Sequence, residues 1–188
     1  MSATTTIYEG NGASISYTLI TNGRFNCSDA HTPVLDTPNK VATSGLMQSW
    51  WKSWALDMAG SFTQIDNISV YCDGAIGWTF GTGGKVQVGL RDSGDNGCPE
   101  VSYQQAAGSA ATGYAIDVAV NGHAYYLGQS PVTADIEDYT SGSELELDTD
   151  AYTTADKSKL LVAQLVIDDD ATAGAQAAET ITFAYDEI

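Results

Sequence analysis

Short segments in which apolar and polar residues alternate recur along the chain. A period of two is typical of β-strands with one buried face. It predicts strands over residues 13–20, 65–72, 85–90 and 115–120. The Asn121-Gly122 pair after the last of these is a strong hairpin signal. We therefore expect residues 123–127 to return as its partner strand, with His123 as a solvated loop residue.

The end of the chain carries two further strand patterns. Residues 159–167 are apolar at almost every position, which predicts a central strand covered on both faces. A small, acidic connection rich in Gly and Ala follows, and residues 180–185 then predict the final core strand. Earlier in the chain, Leu145 and Leu147 alternate with carboxylates, as in an edge strand whose charges block edge-to-edge aggregation.

Residues 46–58 fit two patterns. Their apolar residues have helical spacing, and Gly60 could end such a helix. Trp50, Trp54 and Met58 would equally share one face of a strand. We favour the strand, because the segments that follow are β-like and aromatic residues suit strands. Before this segment, the two prolines at 33 and 38 predict a long loop near 26–45.

These patterns together predict an all-β fold. A chain of 188 residues is expected to form one domain. We predict a single antiparallel β-sandwich over residues 1–188, immunoglobulin-like or jelly-roll-like. An acidic loop or edge region is expected near 131–156.

The charge balance disfavours two classes of partner. The chain has 7 Lys and Arg against 24 Asp and Glu, a net charge of −17. Binding to nucleic acid or to an anionic membrane needs clustered basic residues, so we expect neither. The N-terminal segment lacks the basic and apolar regions of a secretory signal. The three cysteines, Cys27, Cys72 and Cys98, cannot all pair internally. Because no export signal is visible, we favour three buried, reduced thiols over one disulfide and a free thiol.

Two clusters are candidate binding sites. Trp50, Trp51 and Trp54 could form a carbohydrate-binding stripe, although such residues more often serve as core or subunit-contact anchors. Asp92, Asp95 and Asn96 offer oxygen ligands for a structural Ca²⁺, although Asp, Asn and Gly also build tight turns. No catalytic motif is present in the sequence, so we predict no catalytic residues and no enzyme activity.

The order of the segments resembles a group of β-sandwich proteins found in the virions of tailed viruses. The resemblance rests on Phe62-Thr-Gln-Ile-Asp-Asn-Ile-Ser-Val-Tyr-Cys-Asp-Gly74 and on the terminal Glu179-Thr-Ile-Thr-Phe-Ala-Tyr-Asp-Glu-Ile188. It implies a decoration, cement or accessory protein of the bacteriophage capsid without catalysis, assembled in the host cytoplasm and located in the virion.

The resulting hypothesis is a viral structural protein that binds capsid or other virion proteins. We expect it to form a homo-oligomer, a trimer being one option. The main alternative is a carbohydrate- or cell-surface-binding module, receptor-binding or tail-associated, for which the Trp50–Trp54 cluster is the motivation. An enzyme that uses a pair of carboxylates is a third, weaker hypothesis.

Overall fold

The computed structural model describes residues 2–31, 38–73, 77–109, 111–174, 176 and 178–188. The described residues form thirteen β-strands and two short 3-10 helices, at Glu100–Ser102 and Ile136–Asp138, and contain no α-helix. This confirms the predicted all-β class. Within these ranges no helix has the length and apolar character needed to cross a membrane.

The strands vary from two to nine residues in length. In chain order they are β1 (Ala3–Asn11), β2 (Ser16–Ile20), β3 (Met47–Gln48), β4 (Lys52–Gly60), β5 (Ile65–Tyr71), β6 (Lys85–Gly89), β7 (Gly108–Ser109), β8 (Thr112–Gly113), β9 (Thr133–Asp135), β10 (Leu145–Asp148), β11 (Asp156–Lys157), β12 (Leu161–Ile167) and β13 (Thr182–Glu187).

Two antiparallel sheets pack face to face. The larger sheet has eight strands in the path β2-β1-β4-β12-β6-β9, with β3 paired to β12 and β11 paired to β4. The smaller sheet has the order β10-β5-β13. Side chains from both sheets meet in one cluster, the inner core, which includes Leu56 of β4, Val70 of β5 and Leu147 of β10. The fold is therefore an antiparallel β-sandwich, as predicted.

The other face of the larger sheet is covered by chain without long strands. We call residues 98–109 and 111–132 the loop layer; the hairpin of β7 and β8 lies at its centre. The outer core fills the space between this layer and the sheet. Its buried residues are Trp51, Ala55, Leu160 and Val162 from the sheet side and Cys98, Ala106, Ile116 and Tyr126 from the loop layer.

Strand β12 is the boundary between the two cores. All seven of its residues are buried. Leu161, Ala163, Leu165 and Ile167 point into the inner core, while Val162 belongs to the outer core. The prediction of a central, doubly covered strand is thus confirmed, because alternate side chains of one strand face opposite sides of the sheet.

Gln164 is a polar residue on the loop-layer side of β12, and it is fully buried. Its amide oxygen accepts hydrogen bonds from Gln87 Nε2 at 2.8 Å and from the Ile116 amide at 3.1 Å. Its amide nitrogen donates to the carbonyls of Ser49 at 2.7 Å and Tyr114 at 2.8 Å. The side chain therefore satisfies all its polar atoms and ties the loop layer to the sheet.

Several other predicted strands are confirmed. Residues 46–58 are extended, in β3 and β4, rather than helical. The segments 65–72 and 85–90 form β5 and β6, and β10 is an edge strand of the smaller sheet with Glu146 exposed. Residues 26–31 and 38–45 contain no strand, in accord with the predicted loop; residues 32–37 lie outside the described ranges.

The N-terminal prediction was incomplete. Strand β1 lies between β2 and β4 in the larger sheet, yet the sequence pattern placed the first strand at residue 13. Residues 12–15 are instead the turn that joins β1 to β2. The alternating pattern does not appear in β1, because this strand is rich in Thr and has few apolar residues. Its tendency to form a strand comes from β-branched side chains instead. The two C-terminal strands, β12 and β13, lie in different sheets, and β13 is only half-buried.

The predicted hairpin of residues 115–120 and 123–127 was wrong. These residues form successive turns of the loop layer, with the amide of His123 donating to the carbonyl of Ile116. Ile116 is buried, but Val118 and Val120 are exposed, so the alternation did not mark a buried face. A side chain at Gly122 would collide with the Val118 carbonyl, so the backbone forms a tight turn here.

Replacing Gln164 with alanine should destabilise the protein by about 3 kcal/mol, because Gln87, Ile116, Ser49 and Tyr114 would lose buried hydrogen-bond partners. Urea denaturation followed by tryptophan fluorescence measures this change. The matched control is Gln176→Ala, at an exposed side chain, which should alter stability by less than about 0.5 kcal/mol. Equal unfolding midpoints for both variants would contradict the role given to Gln164.

Candidate functional site

The loop layer presents apolar side chains to solvent. Val101 is 94% exposed, Val120 71% and Val118 40%. Val101 lies in the 3-10 helix at Glu100–Ser102, and the other two lie in the turns that replace the predicted hairpin. Single exposed apolar residues are ordinary, but several within one layer of a molecule can form a contact surface. We name Val101, Val118 and Val120 the valine face.

Hydrogen bonds hold the two loops of the valine face together. Gln104 Nε2 donates to the Gly122 carbonyl at 3.1 Å, and Gln104 Oε1 accepts from the Ala124 amide at 2.9 Å. The indole of Trp51 donates to the Gln104 carbonyl at 3.1 Å from beneath. The loops are thus fixed to each other and to the sheet, so the valines are presented on an ordered backbone.

Strand β2 extends this apolar character to the edge of the sheet. Tyr17 packs against the outer core, and its hydroxyl donates to Glu100 Oε2 at 2.9 Å. Leu19, two residues along the strand, points to the same side and is 52% exposed. An exposed edge strand next to apolar side chains offers unpaired backbone groups as well as apolar contact.

The tryptophan cluster is divided between interior locations. Trp54 is in the inner core and Trp51 in the outer core, 5% and 1% exposed. Trp50 is half-buried and packs against the outer core. Trp51 and Trp54 therefore present no ring face to a sugar and serve as core, the more common role of such residues.

The three residues predicted as Ca²⁺ ligands lie in the turn 91–97, and each has protein contacts. Asp92 Oδ1 accepts from the Ser130 amide at 2.6 Å. Asn96 Oδ1 accepts from the Arg91 amide at 2.9 Å, and its Nδ2 donates to the Glu146 carbonyl at 2.7 Å. Asp95 Oδ2 contacts Lys159 Nζ at 2.6 Å. These contacts are those of a turn and an ion pair. A Ca²⁺ site formed by the same residues stays a prediction.

Lys159 supplies the positive charge of this region. Its ammonium contacts Asp95, Asp148 and Asp150 at 2.6, 3.0 and 3.0 Å. Burial alone would lower the pKa of Lys159, but the hydrogen bonds to the three carboxylates raise it overall. Burial would raise the pKa of Asp148, but hydrogen bonds from Tyr152 and from the amides of Lys159 and Asp150 lower it overall. Both groups are therefore charged at neutral pH.

A second acidic group is Asp168, Asp169 and Asp170, whose carboxylate oxygens lie within 4.8 Å of one another. Within the described ranges, these three side chains are the group of potential metal ligands that lie close enough together to hold an ion. Asp168 accepts from the Gly83 amide at 2.8 Å and Asp170 from the Thr82 amide at 2.8 Å. Asp168 and Asp170 thus fix the turn before β6, whereas Asp169 accepts from the Gly45 amide at 2.8 Å.

Two surface depressions have unlike linings. One, of about 190 Å³, lies between β1 and β13 and has an uncharged lining. The other, of about 250 Å³, lies at the end of β2 and is lined partly by Arg24 and His31. Among the residues that the structure describes, no carboxylate lines either depression, so these linings do not supply the pair of carboxylates that glycoside hydrolysis uses.

The cysteines and His123 are interior residues. Cys27, Cys72 and Cys98 are buried, and no disulfide joins any two of them, as favoured from the sequence. Burial raises the pKa of the Cys98 thiol to about 12, which disfavours the reactive thiolate. His123, predicted to be solvated, is instead fully buried between Trp51 and Tyr126, and neither ring nitrogen has a hydrogen-bond partner among the residues that the structure describes.

Replacing Lys159 with methionine should lower stability by about 3 kcal/mol at neutral pH, because Asp148 would be left buried without its cation. Chemical denaturation at pH 7 and at pH 3 measures the effect, which should shrink at the lower pH as carboxylates become protonated. Lys157→Met is the matched control, since its ion pair with Asp57 is partly exposed and should contribute less than about 1 kcal/mol. Equal losses in the two variants would contradict this account.

His123 should make stability depend on pH. Burial lowers its pKa from 6.5 to about 4, so between these values the unfolded chain binds a proton that the folded protein does not. The contribution is complete above pH 6.5 and is lost as the pH falls towards 4, by about 3 kcal/mol. His123→Phe should flatten this part of the stability profile, measured by denaturation across pH 4–7, whereas the exposed, non-titrating control Gln176→Ala should not. Parallel profiles for wild type and His123→Phe would contradict the assignment.

No family model, curated protein or solved structure matches this chain at a significant level. Its function is therefore to be inferred from the geometry of its own residues.

Proposed function

We propose that this protein is a non-enzymatic structural protein of a virion that acts through protein–protein contacts, as a capsid decoration or cement protein. The observation that carries the proposal is the valine face on an ordered loop layer. An apolar surface on a rigid scaffold suits contact with another protein surface. The resemblance of the sequence to virion β-sandwich proteins supplies the class of assembly.

The location of the reactive side chains supports a role without catalysis. The three cysteines and His123 are buried, and the Lys159 ammonium is held by carboxylates. Enzyme sites instead bring perturbed acids, bases or nucleophiles together in an accessible cleft.

The net negative charge of the chain favours contact between copies through the valine face rather than through their acidic surfaces. With a net charge of −17, two copies repel each other at long range. An apolar patch gives short-range attraction that does not depend on charge. We therefore expect a homo-oligomer, with a trimer as the first form to test, or contact with a less acidic capsid protein.

The alternative function, a carbohydrate- or cell-surface-binding module, has less support from the geometry. Its motivation was the aromatic stripe, and Trp51 and Trp54 are buried. The depression lined by Arg24 and His31 remains a polar feature that an acidic sugar could contact. Glycan-array binding that is lost on Arg24→Ala would favour this alternative over the virion role.

The proposal predicts that Val101→Ser combined with Val120→Ser weakens association. Each valine that is buried in a contact contributes roughly 1.5 kcal/mol, so the double variant should bind roughly a hundredfold more weakly. Analytical ultracentrifugation measures self-association, and co-sedimentation with gradient-purified virus particles from the source culture measures capsid binding.

The matched control is Leu46→Ser, because Leu46 is 51% exposed but lies outside the valine face. Its association should equal that of the wild type. A protein that stays monomeric and is missing from the purified particles would overturn the proposed function.

A further inference from the structure

A buried polar cluster lies where β1 and β4 meet. Glu9 is fully buried and Lys52 is 1% exposed. The pairing of these strands ends with Gly10 opposite Ser53, so the next position places Asn11 opposite Lys52. Side chains two apart on a strand share a face, and directly opposite residues on antiparallel strands are neighbours. Glu9, Asn11 and Lys52 therefore project together on the inner face of the larger sheet, beside Trp54.

One oxygen atom of Glu9 contacts both of the other side chains. Glu9 Oε1 accepts from Lys52 Nζ at 3.3 Å and from Asn11 Nδ2 at 3.1 Å. Its other oxygen, Oε2, accepts from the Trp54 indole at 3.0 Å. The carboxylate is thus held in place by the indole while it bridges an amine and an amide.

The orientation of the Asn11 amide is fixed by two acceptors. Nδ2 donates to Glu9 Oε1 and, at 3.1 Å, to Asp29 Oδ1. Because both acceptors are carboxylates, the nitrogen and not the oxygen must face them. Asn11 Oδ1 is buried, and no described residue forms a hydrogen bond with it. The amide therefore presents its nitrogen to a proton carrier and keeps an unpaired carbonyl oxygen.

We propose that Lys52 and Asn11 form a covalent amide cross-link between β1 and β4, with Glu9 as the proton carrier. This arrangement contains a nucleophile, an electrophilic carbonyl carbon and a leaving group. It does not depend on the virion role of the protein.

The reaction needs no other reactant. The lone pair of the neutral Lys52 amine forms a bond to Asn11 Cγ, and the electron pair of the carbonyl moves to Oδ1. When that pair returns, the bond between Cγ and Nδ2 breaks. Glu9 takes a proton from Nζ and delivers one to Nδ2, which leaves as ammonia, so Glu9 is unchanged. The products are one secondary amide and one ammonia.

The surroundings favour each part of this reaction. Burial lowers the pKa of Lys52, although Glu9 opposes this, and a lower pKa increases the neutral amine that can attack. Fixed neighbouring groups react far faster than free ones. Before reaction, the ammonium is also held by the carbonyls of Ser28 at 3.1 Å and Ala30 at 3.0 Å, which direct Nζ and close the cluster from solvent.

Intact mass spectrometry of the denatured, reduced protein tests the proposal. The wild type should be lighter than its sequence by one ammonia, and a tryptic digest should give one branched peptide that joins Lys52 to Asn11. Lys52→Arg and Glu9→Gln should have the full mass. Lys157→Arg, the matched control at a lysine outside the cluster, should keep the deficit.

The wild-type protein alone decides the outcome, so a variant that fails to fold does not weaken the test. A wild-type mass equal to the sequence mass would overturn the proposal and leave a non-covalent ion pair. Loss of one water, mapped to a link between Lys52 and Asp29, would overturn the assignment of Asn11 as the electrophile. A deficit that persists in Glu9→Gln would overturn the role of Glu9.

Discussion

The structure depends on one strand, β12, being buried on both faces. Its inward residues fill the sandwich, and Val162 on its other face belongs to the outer core. The face of β12 that points away from the sandwich must also be covered. Loops cover it here, rather than another sheet. Because irregular backbone has no ladder to satisfy its amides and carbonyls, this cover requires specific polar anchors.

Buried polar side chains provide these anchors. Gln164 fixes the backbone of Tyr114 and Ile116. On the inner face, Lys52 holds the carbonyls of Ser28 and Ala30, so the loop after β2, which is separate from the loop layer, is also drawn onto the sheet. Each anchor replaces the backbone hydrogen bonds that a neighbouring strand would have provided. Each also stabilises one conformation of its loop, because other loop conformations would leave buried polar atoms unpaired.

The sequence predicted the sandwich better than the loop layer, for a physical reason. Residues 159–167 are apolar on both faces, and double burial produces that pattern directly. Val118 and Val120 alternate equally well, yet they face solvent, because alternation records the spacing of apolar residues and not what covers them. Glu9 and Lys52 lie far apart in sequence, so nothing local to either residue reveals their pairing. The valine face and the buried His123 were missed for the same reason.

The outer core also fixes the surface that the loop layer presents to solvent. Buried side chains from the sheet and from the loop layer meet in it, and Gln164 joins the backbone of the two. The loops that carry the valine face are therefore ordered before any partner arrives. Binding there costs little conformational entropy, because the contact surface needs no rearrangement.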